Sequence, residues 1–95
     1  MSTKVDYKND IDVHVQAASL TQEEAASLFQ VSRQTLYNWR GGGNVNNMFL
    51  YRTAKRIAGL IEKAVAAEKL PLPDSVPRDQ RLTQVNSILR GMREV

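Results

Sequence analysis

Residues 20–43 read LTQEEAASLFQVSRQTLYNWRGGG, and the fold turns on how they divide into two helices and a turn. Thr21 and Glu24 have the spacing of a capping box, so a helix is expected from there to about Phe29. Glu23 and Glu24 also suit the positive end of the helix dipole. Gln30 and Val31 make the turn, and Ser32 caps a second helix from Arg33 to about Arg40. Gly41, Gly42 and Gly43 end it, because glycine reaches the left-handed conformation needed past a helix C-terminus. Ala25, Leu28, Phe29, Val31, Leu36 and Trp39 are spaced to close the two helices onto each other. Arg33, Gln34, Tyr37 and Asn38 are left on the outer side.

Towards the N-terminus, residues 1–9 are polar and are expected to form a flexible arm. In Asp10–Ser19, Ile11, Val13 and Val15 alternate as in a strand, while Ile11, Val15 and Ala18 equally form one helical face. No second strand pattern exists to pair with it, so a short helix is expected. His14 has no second histidine and no cysteine to join it as a metal ligand.

Towards the C-terminus, Asn44 to Asn47 read as a polar loop that supplies the next helix cap. Met48 to Leu70 carries the longest helical signal, with Leu50, Ala54, Ile57, Ile61 and Ala64 on one face and Arg52, Arg56 and Lys63 opposite. Pro71 and Pro73 stop that helix, and LPLPDSVP reads as a stiff connector. In residues 78–95, Leu82, Val85, Leu89 and Met92 recur at alternating three- and four-residue steps, an amphipathic helix made to pack on another. The fold class expected is all-α, a small helical bundle with a central helix-turn-helix. Its divisions are a flexible 1–9, a domain over 10–73 and a C-terminal helix over 74–95.

The 95 residues suit one small domain, and an apolar fraction of 42% allows a compact core. With no cysteine, neither disulfides nor thiolate metal sites contribute. The sequence has no apolar run of membrane-span length and no signal-peptide pattern, so a cytoplasmic protein is expected. The net charge of +3 is unevenly spread. Residues 1–24 are acidic on balance, whereas between Glu24 and Glu62 every charge is positive: Arg33, Arg40, Arg52, Lys55 and Arg56. A polyanion would meet one basic zone, and it overlaps the opening stretch.

These residues resemble the helix-turn-helix of the lambda repressor and Cro-like (xenobiotic-response-element) DNA-binding family. LTQEEAA is similar to the opening of that family's second helix, VSRQTLYNW to its turn and recognition helix, and RGGG to its exit. The likeness covers the quoted stretch and extends loosely from Asp10 to Leu70. In that family a small residue stands where this chain has Ala26 and lets the helices approach, and Leu36 and Trp39 match inward-facing positions. One departure is Gln30, where the family usually has glycine. A non-glycine residue takes the left-handed conformation only at about 1 kcal/mol or more, so the turn and the angle of the recognition helix are expected to differ slightly.

The resemblance implies major-groove reading by the helix over 33–40. Arg33 would grip guanine O6 and N7, Gln34 adenine N6 and N7, Asn38 a further base edge, and Tyr37 a thymine methyl or a phosphate. Thr21, Gln22 and Ser32, with Arg40, Asn44, Arg52 and Arg56, are the candidates for phosphate contacts. Since one such motif reads only a few base pairs, Leu82, Val85, Leu89 and Met92 are expected to form a homodimer interface. Folding of that helix back onto its own core is the alternative. The function expected is a sequence-specific double-stranded-DNA-binding transcriptional regulator, a repressor by resemblance. Alternatives are an excisionase-like architectural factor and an antitoxin or adaptor module that binds protein. No catalytic set, phosphate-binding glycine loop, metal site, cofactor site or small-molecule site is recognisable, so no enzyme is expected.

Overall fold

A computed structural model describes residues 3–41, 44, 45 and 47–93. In chain order, a two-residue strand β1 (Thr3–Lys4) leads into a π-helical segment (Lys8–Asp12) that runs on into α1 (Val13–Ala17). Then follow α2 (Gln22–Phe29), α3 (Arg33–Arg40), the two-residue strand β2 (Asn44–Val45), α4 (Met48–Ala66) and α5 (Arg78–Arg93). The architecture is a small all-α bundle. β1 and β2 pair antiparallel, with Thr3 opposite Val45 and Lys4 opposite Asn44.

α4 is the axis of the bundle, in contact with α5, α1, the π-helical segment and α2. Its apolar stripe explains this: Tyr51, Ala54, Ala58, Ile61 and Ala64 are all buried, and three of the five are alanines that let neighbouring helices come close. Asn47 starts the helix by accepting hydrogen bonds on Oδ1 from the Phe49 and Leu50 N–H groups. α2 starts with the expected capping box, Glu24 N–H donating to Thr21 Oγ1 and Thr21 N–H to Glu24 Oε1.

Three helices end in the same way. Past α1, α2 and α4 the chain enters the left-handed region at Ser19 (φ 54°), Gln30 (φ 58°) and Glu68 (φ 61°). Each time, the next N–H donates back five residues: Leu20 to Val15, Val31 to Ala26, and Lys69 to Ala64. Each left-handed residue's own N–H donates back three, which completes a Schellman motif. α4 therefore ends at Ala66, four residues before the expected Leu70. At the turn, Gln30 itself adopts the left-handed conformation, at φ 58° and ψ 43°. At the end of α3 the outcome is reversed: Gly41 has φ −71° and is not left-handed, while Gly42 and Gly43 lie outside the described residues.

The segment expected to be a flexible arm is part of the fold from Thr3 onward. β1 pairs with β2 where a polar loop was expected at 44–47, and Tyr7 is 3% exposed within the core. Asp10–Ser19 is helical as expected. Leu70 and Leu72 are also buried, so LPLPDSVP lines the core rather than spacing two units.

The division at 73/74 and the homodimer seam need correction. Val85 and Leu89 are 0% and 5% exposed in the single chain, and Leu82 and Met92 are half-buried against the same core. α5 folds back onto α4 and α2, held also by Arg81. Its Nε donates to Glu24 Oε2 at 3.0 Å and its Nη2 to the Ser19 carbonyl at 3.0 Å. Burying two such aliphatic side chains contributes about 1.5–3 kcal/mol each, which freeing them for a partner would forfeit. No helix among the described residues is long and apolar enough to cross a membrane.

Candidate functional site

α3 is held from beneath by aromatic packing. Trp39 lies between Tyr7 and Tyr51, at ring-centroid distances of 6.3 and 5.1 Å, and meets Tyr51 edge-on. Tyr51 is fixed in turn by its hydroxyl, which donates to Asp10 Oδ2 at 2.8 Å. Leu36 (1% exposed) seals the other turn of the helix, and Ala26 (3% exposed) keeps α2 close. The N-terminal segment thus braces the underside of α3. Burial pushes both phenols up: Tyr7 to about 12, with the Asp12 carboxylate adding to the rise and Arg40 opposing it, and Tyr51 upward also through its bond to Asp10.

With Leu36 and Trp39 turned inward and Thr35 half-buried, the remaining residues of α3 face solvent. Ser32 caps the helix, its Oγ accepting from Thr35 N–H at 3.0 Å. Arg33, Gln34, Asn38 and Arg40 are exposed, and Tyr37 is 72% exposed. One turn apart, Gln34 Nε2 donates to Asn38 Oδ1 at 3.1 Å, which aligns the two amides along the outer face. The second Gln34 N–H, its carbonyl oxygen and the Asn38 amide N–H groups stay available.

Gln22, Arg33, Gln34, Tyr37 and Arg40 line one open concavity of about 520 Å³ between the start of α2 and the outer face of α3. Every one of the five belongs to the set drawn from the sequence. The lining holds two guanidinium groups and no carboxylate among the described residues, so it offers fixed positive charge. The amides and the phenol both donate and accept, which suits a surface that must match varied polar edges. The side-chain oxygen of Gln22 is buried without a hydrogen-bond partner among the described residues.

The other candidates are distributed differently. Asn38 is on the same helix face but outside the concavity. Thr21 and Ser32 hold helix N-termini, and Thr21 lies in a separate groove with Glu23, Arg78 and Arg81. Arg52 is exposed on α4, whereas Arg56 lines a groove between α4 and α5 with Gln30 and Ile57, away from the α3 concavity. The side chain of Asn44 lies outside the described residues; its backbone pairs with Lys4. The brace formed by Tyr7 and Asp10 was not legible as part of the site, because a tyrosine in a polar run gives no sign of what it packs on. His14 Nε2 stands 3.6 Å from Glu62 Oε2, on the side of α4 that meets α1.

No family model matches the chain, and neither a characterised protein nor a solved structure matches it.

Proposed function

We propose that the protein is a sequence-specific double-stranded-DNA-binding transcriptional regulator, a repressor in the manner of the lambda repressor and Cro-like proteins, acting in the cytoplasm. The observation that carries the reading is the convergence of Gln22, Arg33, Gln34, Tyr37 and Arg40 on one concavity without a carboxylate. An exposed helix with an arginine and an amide in its first turn and a second amide one turn on has the donors for a major groove. Arg33 and Gln34 read base edges, Asn38 and Tyr37 extend the read, and Gln22 and Arg40 take the flanking phosphates. Arg52 adds a sequence-independent contact. Val85 and Leu89 are taken up by the core of the single chain, so of the four seam residues only Leu82 and Met92 keep surface for a second copy, and a homodimer on two half-sites would draw on further residues.

Selection of bound sequences from random duplexes, followed by anisotropy titrations, tests this. A defined consensus is expected, and a palindromic one would report two copies about one helical turn apart. Arg33→Ala should weaken the selected site by about 1–3 kcal/mol and relax preference at one position. Arg40→Ala should weaken selected and random duplexes alike and lower the salt slope by about 1. Equal affinity of the wild type and Arg33→Ala for the selected and random duplexes would reject the assignment of α3.

A further inference from the structure

On the far side of the Gln30 turn, two depressions join into one groove between α4 and α5, sharing Gln30, Ile57, Leu60 and Arg93. The larger is about 530 Å³. The groove floor is mixed: Phe29, Ile57, Leu60 and Met92 in the larger depression and Leu89 in the smaller give it an apolar strip, Phe29 and Leu89 being buried and the other three half-buried, beside the polar Gln30, Thr53 and Asn86. Its rim is Arg56, Lys63, Arg90 and Arg93, and no carboxylate lines either depression among the described residues. Among the described residues, Arg56, Lys63 and Arg90 have no carboxylate partner, and the ion pairs there use His14, Lys55 and Arg81.

We propose that this groove is a docking site for an acidic amphipathic helix of a partner protein. Four cations around an apolar strip complement a segment with an apolar stripe flanked by carboxylates. Along α4 the lining runs from Thr53 to Lys63, about 15 Å at 1.5 Å per residue, the reach of a helix of two to three turns. A small organic anion would occupy only one of the depressions. A nucleic-acid backbone would meet the cations and leave Ile57, Leu60 and Met92 uncovered. The groove has no lining residue in common with the α3 concavity, so both can be filled together.

The test uses the full chain and a fluorescein-labelled helical peptide of about 14 residues, with leucine at three- and four-residue spacing, glutamate on the flanks and alanine elsewhere. Binding is expected in anisotropy, falling about tenfold or more for Lys63→Glu/Arg90→Glu and by as much when serine replaces the peptide's leucines. It should persist when a random DNA duplex is added in excess. Circular dichroism checks that the variant is folded, and Lys63→Gln/Arg90→Gln, which only removes charge, should weaken binding to an intermediate degree. No binding at about 1 mM peptide, equal binding of the charge-reversed variant, equal binding of a lysine-for-glutamate peptide, or displacement by the duplex would each overturn the proposal. Sedimentation that showed self-association lost in the charge-reversed variant would assign the groove to a second copy and overturn it too. Failure of the α3 assignment would leave all these outcomes unchanged.

Discussion

Replacing Gln30 by glycine should stabilise the protein while leaving its shape unchanged. Gln30 sits at φ 58°, ψ 43°, a conformation that costs an L-residue about 1–2 kcal/mol and glycine almost nothing. Against that gain stands the greater chain entropy glycine loses on folding, about 0.5–1 kcal/mol. The Gln30 side chain is exposed and makes no hydrogen bond among the described residues, so nothing else is lost. The net gain is about 0.5–1 kcal/mol, which raises Tm by about 2–8 °C in a domain of this size. Alanine, with the same left-handed penalty as glutamine, should leave Tm nearly unchanged, and valine should lower it because a β-branched side chain fits this region worst. Calorimetry on the three variants gives the order glycine, glutamine with alanine, valine. Ser19→Gly and Glu68→Gly should act in the same direction, since both positions share the geometry. If Gln30→Gly lowered Tm below that of Gln30→Ala, the left-handed Schellman ending of α2 would be refuted.

Two further outcomes concern ionisable groups. Burial raises the Glu24 carboxyl, but the Thr21 backbone N–H, the Arg81 guanidinium and the Thr21 hydroxyl together outweigh it and hold the group below its ordinary 4.5. Its contribution is therefore complete above that value and disappears as pH falls through the depressed one. Glu24→Gln should cost about 1.5–3 kcal/mol at neutral pH, because Arg81 is left largely buried without its charge partner, and urea melts should show the gap closing in acid. For Tyr7, held up to about 12 from an ordinary 10.0, stability is complete below about pH 10 and is lost as pH rises towards 12. Tyr7→Phe should flatten that alkaline loss in urea melts between pH 9 and about 12. At neutral pH it should cost little, since the Tyr7 hydroxyl is buried without a partner among the described residues.

The parts of the fold legible in the sequence were those written in local chemistry. Thr21 and Glu24 announce the start of α2, Ser32 that of α3, and an asparagine at 44–47 that of α4, because a cap lies within three residues of what it caps. The helix ends were less legible. Ser19, Gln30 and Glu68 take a conformation usually marked by glycine, and at all three the backbone bonds of the Schellman motif hold it without one. At the first two, an apolar residue, Leu20 or Val31, follows and packs on the core. The concavity on α3 was legible because its members lie on one helix and the first turn of another. What braces it was not, since Tyr7 and Asp10 reach Trp39 and Tyr51 from more than thirty residues away in the chain.

α5 shows the same division more sharply. The three- and four-residue steps of Leu82, Val85, Leu89 and Met92 establish that one face is buried, and periodicity carries no label for whose core buries it. In the single chain Val85 and Leu89 turn into its own core while Arg81 reaches Glu24, 57 residues away, and nothing in a sequence with thirteen basic and ten acidic residues singles out that pair. Once Arg81 pins the start of α5 to the cap of α2, the register of the helix is set. Val85 and Leu89 turn inward, and Arg90 and Arg93 are carried to the edge that Arg56 and Lys63 of α4 already occupy. Two of the residues that would have served a dimer seam thus become core, and the cost of that folding-back falls on the surface as four cations around a half-covered apolar strip. On the proposed reading, carboxylates carried by a partner would meet that rim while its apolar stripe covers the floor, and the binding capacity expected of the C-terminal helix would lie in the groove beside it.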